Sequence, residues 1–273
     1  MQKPTISLRE EQIAFFHREG YLAIPAITTP EEIERLIGIY DHLFAIKAGR
    51  AEGNQYDLAG TDEDDKEAAV SQIVHLSRYA PELVNLLYWV NAQAIAAQLL
   101  GLEVEMQSDH GIMKPPGSDA PTPWHQDEDY WRPDLVHNAV TIWMPLQEVT
   151  LENGCMQFIP SSHTGEVSSH HSIGHDPRVH GLEVDSVEAS KAVACPIPAG
   201  GATIHHCRTL HYTGPNRTDK PRRAYILNFA APTTKLEISR DFYWQGMRQT
   251  ARDERRKKAG TVSTSGGKLR DKG

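Results

Sequence analysis

Cysteine is scarce in this chain of 273 residues: Cys155, Cys195 and Cys207 are the only three, and none sits in a CxxC pair. Three scattered thiols cannot build a disulfide framework, so the fold must rest on a packed core, and a reducing cytoplasm is the expected compartment. A secretory signal is also missing. The opening MQKPTISLREEQ has no apolar stretch, and no apolar run elsewhere is long enough to cross a bilayer. Positive charge is in deficit: a formal net charge of -8 argues against general binding to nucleic acid or anionic membrane, both of which need a basic face. The expected partner is a small-molecule substrate, and the chain is expected to act as a monomer or homodimer. No GxSxG is present, and Cys155 lies in Glu-Asn-Gly-Cys-Met with no activating neighbour, so nucleophilic catalysis finds no support.

What is present reads as one elaborated domain. Ser7 and Glu10 have capping-box spacing ahead of Ile13, Phe15 and Phe16, which marks a short helix ended by Gly20. Tyr21 to Ile27 reads as a strand. Thr29-Pro30-Glu31-Glu32 then opens a helix carrying Ile33, Leu36, Ile37, Tyr40, Leu43 and Phe44. Residues 49–67 are polar and acidic and read as a surface loop, and a further helical region is expected from Pro81 to about Leu100, closed by Gly101. Beyond Val104 the texture changes to short apolar runs between Pro, Gly and Asn, as at Val140 to Leu146, Ala202 to His206 and Ala224 to Phe229. Helices first and many short strands afterwards predict a mainly β protein with flanking helices, built on a jelly-roll or cupin-like core. The expected single domain spans 1–247, helical to about 103 and β from about 104 to 231. The basic stretch 248–273 is expected to be a frayed helix followed by a flexible tail.

Trp124-His125-Gln126-Asp127 places two potential ligands at i and i+2, on one face if the piece is a strand. In a chain with 14 histidines such a pair arises easily by chance, so its surroundings matter. His211 lies between the strand Ala202 to His206 and the turn-forming Gly214-Pro215-Asn216-Arg217, from where it can reach inward as a second imidazole. Two imidazoles and one carboxylate form a facial triad that leaves coordination positions open. An arginine on the next strand can take the far carboxylate of a bound diacid in a two-point contact. His205 and His206 read as residues that support the ligands or pack. The histidines of the 168–181 stretch read as surface groups, since no cysteine pair accompanies them at zinc spacing.

FFHREGYLAIPAI, KPPGSDAPTPWHQDEDYW, TLENGCMQFIPSSH and LHYTGPNRTDKPRRAYILNF together resemble the phytanoyl-CoA dioxygenase family over most of the chain. The resemblance implies a double-stranded β-helix and a non-haem dioxygenase that hydroxylates or otherwise oxidises a small molecule. It further implies iron(II), 2-oxoglutarate and O₂ as working components, succinate and CO₂ as co-products, and ascorbate as an optional reductant. Position by position, His125 and Asp127 become the proximal ligands, His211 the distal ligand and Arg222 the 2-oxoglutarate clamp, eleven positions after His211. Thr213, Thr141 and Gln107 are candidate cosubstrate contacts, and Trp131 and Lys114 candidate substrate contacts. An intact carboxylate at Asp127 speaks against halogenation. The rival readings are a non-redox cupin-like metal enzyme, which has no use for the arginine, and a catalytically silent binding module on the same fold.

Overall fold

A computed structural model of the protein describes residues 2–260. Helix α1 (Glu10–Glu19) begins two residues later than the Ser7–Glu10 spacing suggests, because the preceding segment is tied down elsewhere: Leu8 N donates to Gln98 Oε1 at 2.8 Å and Thr5 N to Asn91 Oδ1 at 2.8 Å. The cap is supplied by Gln12, whose Oε1 accepts from Arg9 N at 3.0 Å. Gly20, at φ 81°, ends the helix in a left-handed conformation that a glycine adopts without steric cost. Strand β1 (Tyr21–Ile24) follows, then α2 (Pro30–Ala45), capped by Thr29 Oγ1 accepting from Glu32 N as its sequence predicts. Next come β2 (Gln55–Asp57), β3 (Ser71–Val74) and α3 (Leu87–Leu100).

The β region comprises β4 (Glu105–Lys114), β5 (Thr122–His125), β6 (Leu135–Val136), β7 (Ala139–Pro145), β8 (Met156–Phe158), β9 (His170–Ser172) and β10 (Leu182–Val184). It continues through β11 (Val193–Cys195), β12 (Ala202–His206), β13 (His211–Thr213), β14 (Arg222–Ala230) and β15 (Thr234–Lys235), before α4 (Trp244–Met247) and α5 (Ala251–Lys258). The pairing is antiparallel throughout. A major sheet runs β1-β12-β7-β14-β4-β3-β2, and a minor sheet runs β11-β8-β13-β5. These are the two sheets of a jelly roll, with β9 and β10 forming a hairpin beside β5.

Strand alternation divides the major sheet into two faces. Val140, Ile142 and Met144 of β7 and Tyr225, Leu227 and Phe229 of β14 face outward and pack with Leu36 and Tyr40 of α2 and Ala92 and Ile95 of α3. Burying a side chain such as Leu36 or Ile95 contributes about 1.5–3 kcal/mol, so this layer fastens the helices to the sheet. Two tyrosines pin it further: Tyr40 donates to Ala224 O, and the Tyr88 hydroxyl lies 2.8 Å from Ile142 O. The opposite residues, Trp143, Ala224 and Ile226, face the minor sheet together with Met156 and Phe158. Thr141, Arg222 and Asn228 share that inner face and line a cavity between the sheets.

Two segments differ from expectation. Residues 49–67 are only partly a solvated loop: β2 forms the edge of the major sheet and its polar side chains are buried with partners, while 63–67 are exposed. Asp57 accepts from the backbone N–H groups of Ala59, Ala69 and Val70. The basic segment is docked rather than frayed. Thr250 caps α5 by accepting from Asp253 N, Arg255 pairs with Asp62, and Arg252 stacks over Tyr56. The last part of the expected flexible tail, 261–273, lies outside the described residues.

Candidate active site

His125 ends β5 and His211 begins β13, and the antiparallel register sets them opposite one another with ring centroids 4.1 Å apart. The backbone fixes which nitrogen each presents. His125 Nδ1 lies 2.7 Å from Pro123 O, and His211 Nδ1 2.8 Å from Thr209 O. A carbonyl only accepts, so each Nδ1 carries the proton and each Nε2 keeps a free lone pair. Asp127 opens the helical turn after β5, and its Oδ1 lies 3.8 Å from His125 Nε2 and 3.5 Å from His211 Nε2. All three donor atoms fall within 4.8 Å of one another, a spacing that one divalent ion can bridge. Burial depresses the pKa of both imidazoles and keeps them neutral. Burial alone would raise Asp127, but His211, His205 and His125 together hold it well below the usual carboxylate range. Two neutral imidazoles and one carboxylate are a donor set that fits iron(II).

Asp127 is itself held. Thr141 Oγ1 donates to its Oδ2 at 2.5 Å and accepts from Asn228 Nδ2 at 2.7 Å, while His205 Nε2 lies 3.2 Å from the same carboxylate oxygen. Thr141, expected to touch the cosubstrate, lines the cavity and orients the carboxylate. Outer hydrogen bonds of this kind typically change metal affinity about 10- to 100-fold. Thr141→Val should accordingly weaken iron(II) binding about tenfold in an anaerobic titration, with Thr141→Ser retaining most of the affinity; equal affinity in Thr141→Val would remove this role. His170 steadies the ligand segment from below, its Nε2 accepting from Gln126 N at 3.0 Å. The histidines of 168–181 are thus not surface groups as a set: His170, His171 and His180 are buried. His206, by contrast, turns away from the centre and packs against His163.

Arg222 begins β14 opposite Lys114 of β4 and is 1% exposed. Its guanidinium carbon lies 5.5 Å from the Trp143 ring centroid, and one terminal nitrogen reaches Thr213 Oγ1 at 3.5 Å. Nε and Nη1 have no partner among the described residues. Burial lowers its pKa to about 10, which leaves it protonated at neutral pH. A buried guanidinium without a counter-ion is costly, and its planar fork matches a carboxylate. The residues therefore fit a diacid cosubstrate. Arg223 points outward and pairs with Asp41 at 2.6 Å, which separates the two arginines.

Two expected contacts lie elsewhere. Lys114 is fully buried, does not line the cavity, and donates through Nζ to Thr213 O at 3.1 Å and Gly214 O at 2.7 Å; it supports the β13 turn rather than a substrate. Gln107 is exposed because the β4–β14 register skips it between Met106 and Ser108, so this bulge residue leaves the inner face. Ser108, His110 and Ile112 line the cavity in its place. Trp131 does line it, edge-on to His137 with centroids 5.0 Å apart. The cavity measures about 950 Å³, and Tyr56, Tyr130, His180 and Arg252 complete walls that the sequence left unassigned. A second cluster, His171, His175 and Asp185, has the spacing of metal donors, but two of the three are exposed and a hydrogen bond between His171 Nε2 and Asp185 accounts for the contact.

Jelly-roll sheets enclosing such a donor set are the architecture of 2-oxoglutarate-dependent non-haem iron oxygenases, and relatives agree on that class. The chain belongs to the phytanoyl-CoA dioxygenase family, whose model matches residues 16–224. The solved structure of EvdO2 from Micromonospora carbonacea var. aurantiaca complexed with 2-oxoglutarate is 33% identical, covers 89% of this chain and 99% of its own, and superposes with a TM-score of 0.76. A "Probable alpha-ketoglutarate-dependent hypophosphite dioxygenase" of Stutzerimonas stutzeri is 24% identical over 81% of this chain and 78% of its own length. A phytanoyl-CoA dioxygenase of Arabidopsis thaliana is 25% identical over 82% and 89%. The protein is a 2-oxoglutarate-dependent oxygenase. Among the described residues no helix is long and apolar enough to cross a membrane.

Proposed function

We propose that the protein hydroxylates a small organic molecule, with His125, Asp127 and His211 holding iron(II) and with Arg222 and Thr213 binding the far carboxylate of 2-oxoglutarate. The observation that carries this reading is the Arg222 guanidinium, buried on the cavity face with two nitrogens unpartnered. When bound, the iron and cosubstrate supply oxygen activation coupled to the conversion of 2-oxoglutarate to succinate and CO₂. The chain does the rest. Pro123 O and Thr209 O hold the two imidazoles in the tautomer that leaves Nε2 available, and Thr141 and His205 fix Asp127. Tyr130 and Trp131 wall the cavity with apolar surface that limits water around the reacting carbon. The same reading takes the protein as a single-domain cytoplasmic monomer or homodimer. A non-redox metal enzyme would leave the buried arginine without a purpose, and a silent binding module would release no succinate.

The test is to supply iron(II), 2-oxoglutarate, ascorbate and O₂ to the purified protein with pooled metabolites. Succinate is expected together with a product heavier by one oxygen, read by mass spectrometry. Binding of 2-oxoglutarate no tighter to the iron-loaded protein than to the metal-free protein would overturn the reading.

A further inference from the structure

The basic C-terminal segment forms one wall of the same cavity. Arg252 and Arg256 lie four residues apart on one face of α5, Arg248 precedes that helix in extended conformation, and all three line the cavity. Arg252 stacks over Tyr56 with its guanidinium carbon 4.1 Å from the ring centroid. It donates from Nε to Gly53 O at 3.0 Å and from Nη1 to His180 Nε2 at 2.9 Å, both neutral acceptors. Arg256 Nε is buried and has no partner among the described residues.

The Arg252 contact also sets the state of His180. A guanidinium only donates, so Nε2 accepts and Nδ1 carries the proton. Burial and then Arg252 push the His180 pKa well down, so the ring stays neutral with Nδ1–H as its one donor. That atom is buried and unpartnered, on a side chain that is 6% exposed and lines the cavity. The carboxylates lining the cavity are Asp127, at the proposed metal site, and Asp134, which pairs with Arg132. On the wall formed by α5 and its approach Asp253 is taken up by Arg248, no carboxylate pairs with Arg252 or Arg256 among the described residues, and the unpaired buried donors there call for an anion.

We infer that the organic substrate carries a compact oxyanion, a phosphate monoester, bound by Arg252, Arg256 and His180 Nδ1–H. The Tyr130 ring contacts both the ligand imidazole and this subsite, with centroids 6.0 Å from His125 and 5.9 Å from His180. This inference rests on the proposed function, since it assigns the substrate of that same cavity.

Phenyl phosphate, benzyl alcohol and inorganic phosphate serve as probes on the protein loaded with iron(II) and 2-oxoglutarate under anaerobic conditions, with binding followed by tryptophan fluorescence. Phenyl phosphate is expected to bind at least about 30-fold more tightly than benzyl alcohol, about 2 kcal/mol, and to weaken as salt is raised. Arg252→Gln and Arg256→Gln should each lose about tenfold or more for phenyl phosphate, and His180→Phe several-fold, with 2-oxoglutarate affinity unchanged. Because Arg252→Gln also gives up the bond to Gly53, Arg256→Gln is the decisive variant, its thermal midpoint being compared with that of the parent. Equal affinity for phenyl phosphate and benzyl alcohol, or unaltered phenyl phosphate binding in Arg256→Gln, overturns the inference. Inorganic phosphate binding as tightly as phenyl phosphate also overturns it, by showing an anion site unrelated to an organic substrate. Failure of 2-oxoglutarate to bind the parent protein instead refutes the proposed function, and the fluorescence titration reads that outcome separately.

Discussion

Alanine at His125, Asp127 or His211 should abolish succinate formation and stoichiometric iron(II) binding while the circular dichroism spectrum stays that of the parent. The three side chains lie on the cavity wall and belong to neither of the two large apolar clusters, so their loss removes donors without emptying the core. Each imidazole is pre-oriented through Nδ1, and each contributes one neutral donor. Asp127 contributes the only negative charge of the set, and its removal also strands Thr141 and His205. His205→Ala is the informative control. Its ring lies 4.2 Å from that of His211, close enough to compete for the role of ligand, yet its Nε2 points to Asp127 Oδ2. A residue that only orients a ligand typically costs about 10- to 100-fold when removed, whereas a lost ligand should leave no measurable site. Full iron content and turnover in any of the three alanine variants would strike that residue from the ligand set, and complete loss in His205→Ala would add His205 to it.

The parts of this site that the sequence made legible are those set by local geometry. His125 and Asp127 are two residues apart, and a strand end followed by a turn brings them to one ion. The inner face of β14 follows from simple alternation, which correctly groups Arg222 with Ala224, Ile226 and Asn228. The capped start of α2 and the Gly101 stop of α3 are equally local. Register is a different matter. Thr141 reaches Asp127 because β7 lies between β12 and β14, and nothing near Thr141 in sequence announces that order. Gln107 was misassigned for the same reason, since one bulged residue reverses which side chains face inward.

Composition misled where polar residues are buried in pairs. Residues 49–67 look solvated, but Asp62 is matched to Arg50 and to Arg255, nearly two hundred residues later, and Asp57 to three backbone donors. The basic segment and the histidine-rich stretch each read as surface when considered alone. In the fold they meet, because Arg252 supplies the donor that His180 Nε2 accepts. No periodicity in either segment encodes that contact.

Replacing Arg222 by alanine should weaken 2-oxoglutarate binding by roughly 30-fold to several thousand-fold, since truncating one partner of a buried charge pair costs about 2–5 kcal/mol. The estimate is large because the guanidinium is almost wholly excluded from water and Trp143 covers part of it. Its neighbour is no substitute. Lys114 sits opposite on β4, but its ammonium is already committed to the carbonyls of Thr213 and Gly214, and burial followed by the Arg222 charge pushes its pKa well down. Arg222→Lys should recover only part of the loss, because an ammonium group cannot reproduce a planar two-point contact. Arg223→Ala should leave the affinity unchanged, because its partly exposed partner Asp41 lies on the outside of the barrel. Iron(II) affinity should hold steady in all three variants, since no arginine among the described residues contacts the donor set. An anaerobic titration of the iron-loaded variants, following the visible charge-transfer band that forms when 2-oxoglutarate chelates iron(II), measures each value. Unchanged affinity in Arg222→Ala with a large loss in Arg223→Ala would move the clamp by one residue. Unchanged affinity in both would mean that the buried guanidinium serves the fold rather than the cosubstrate.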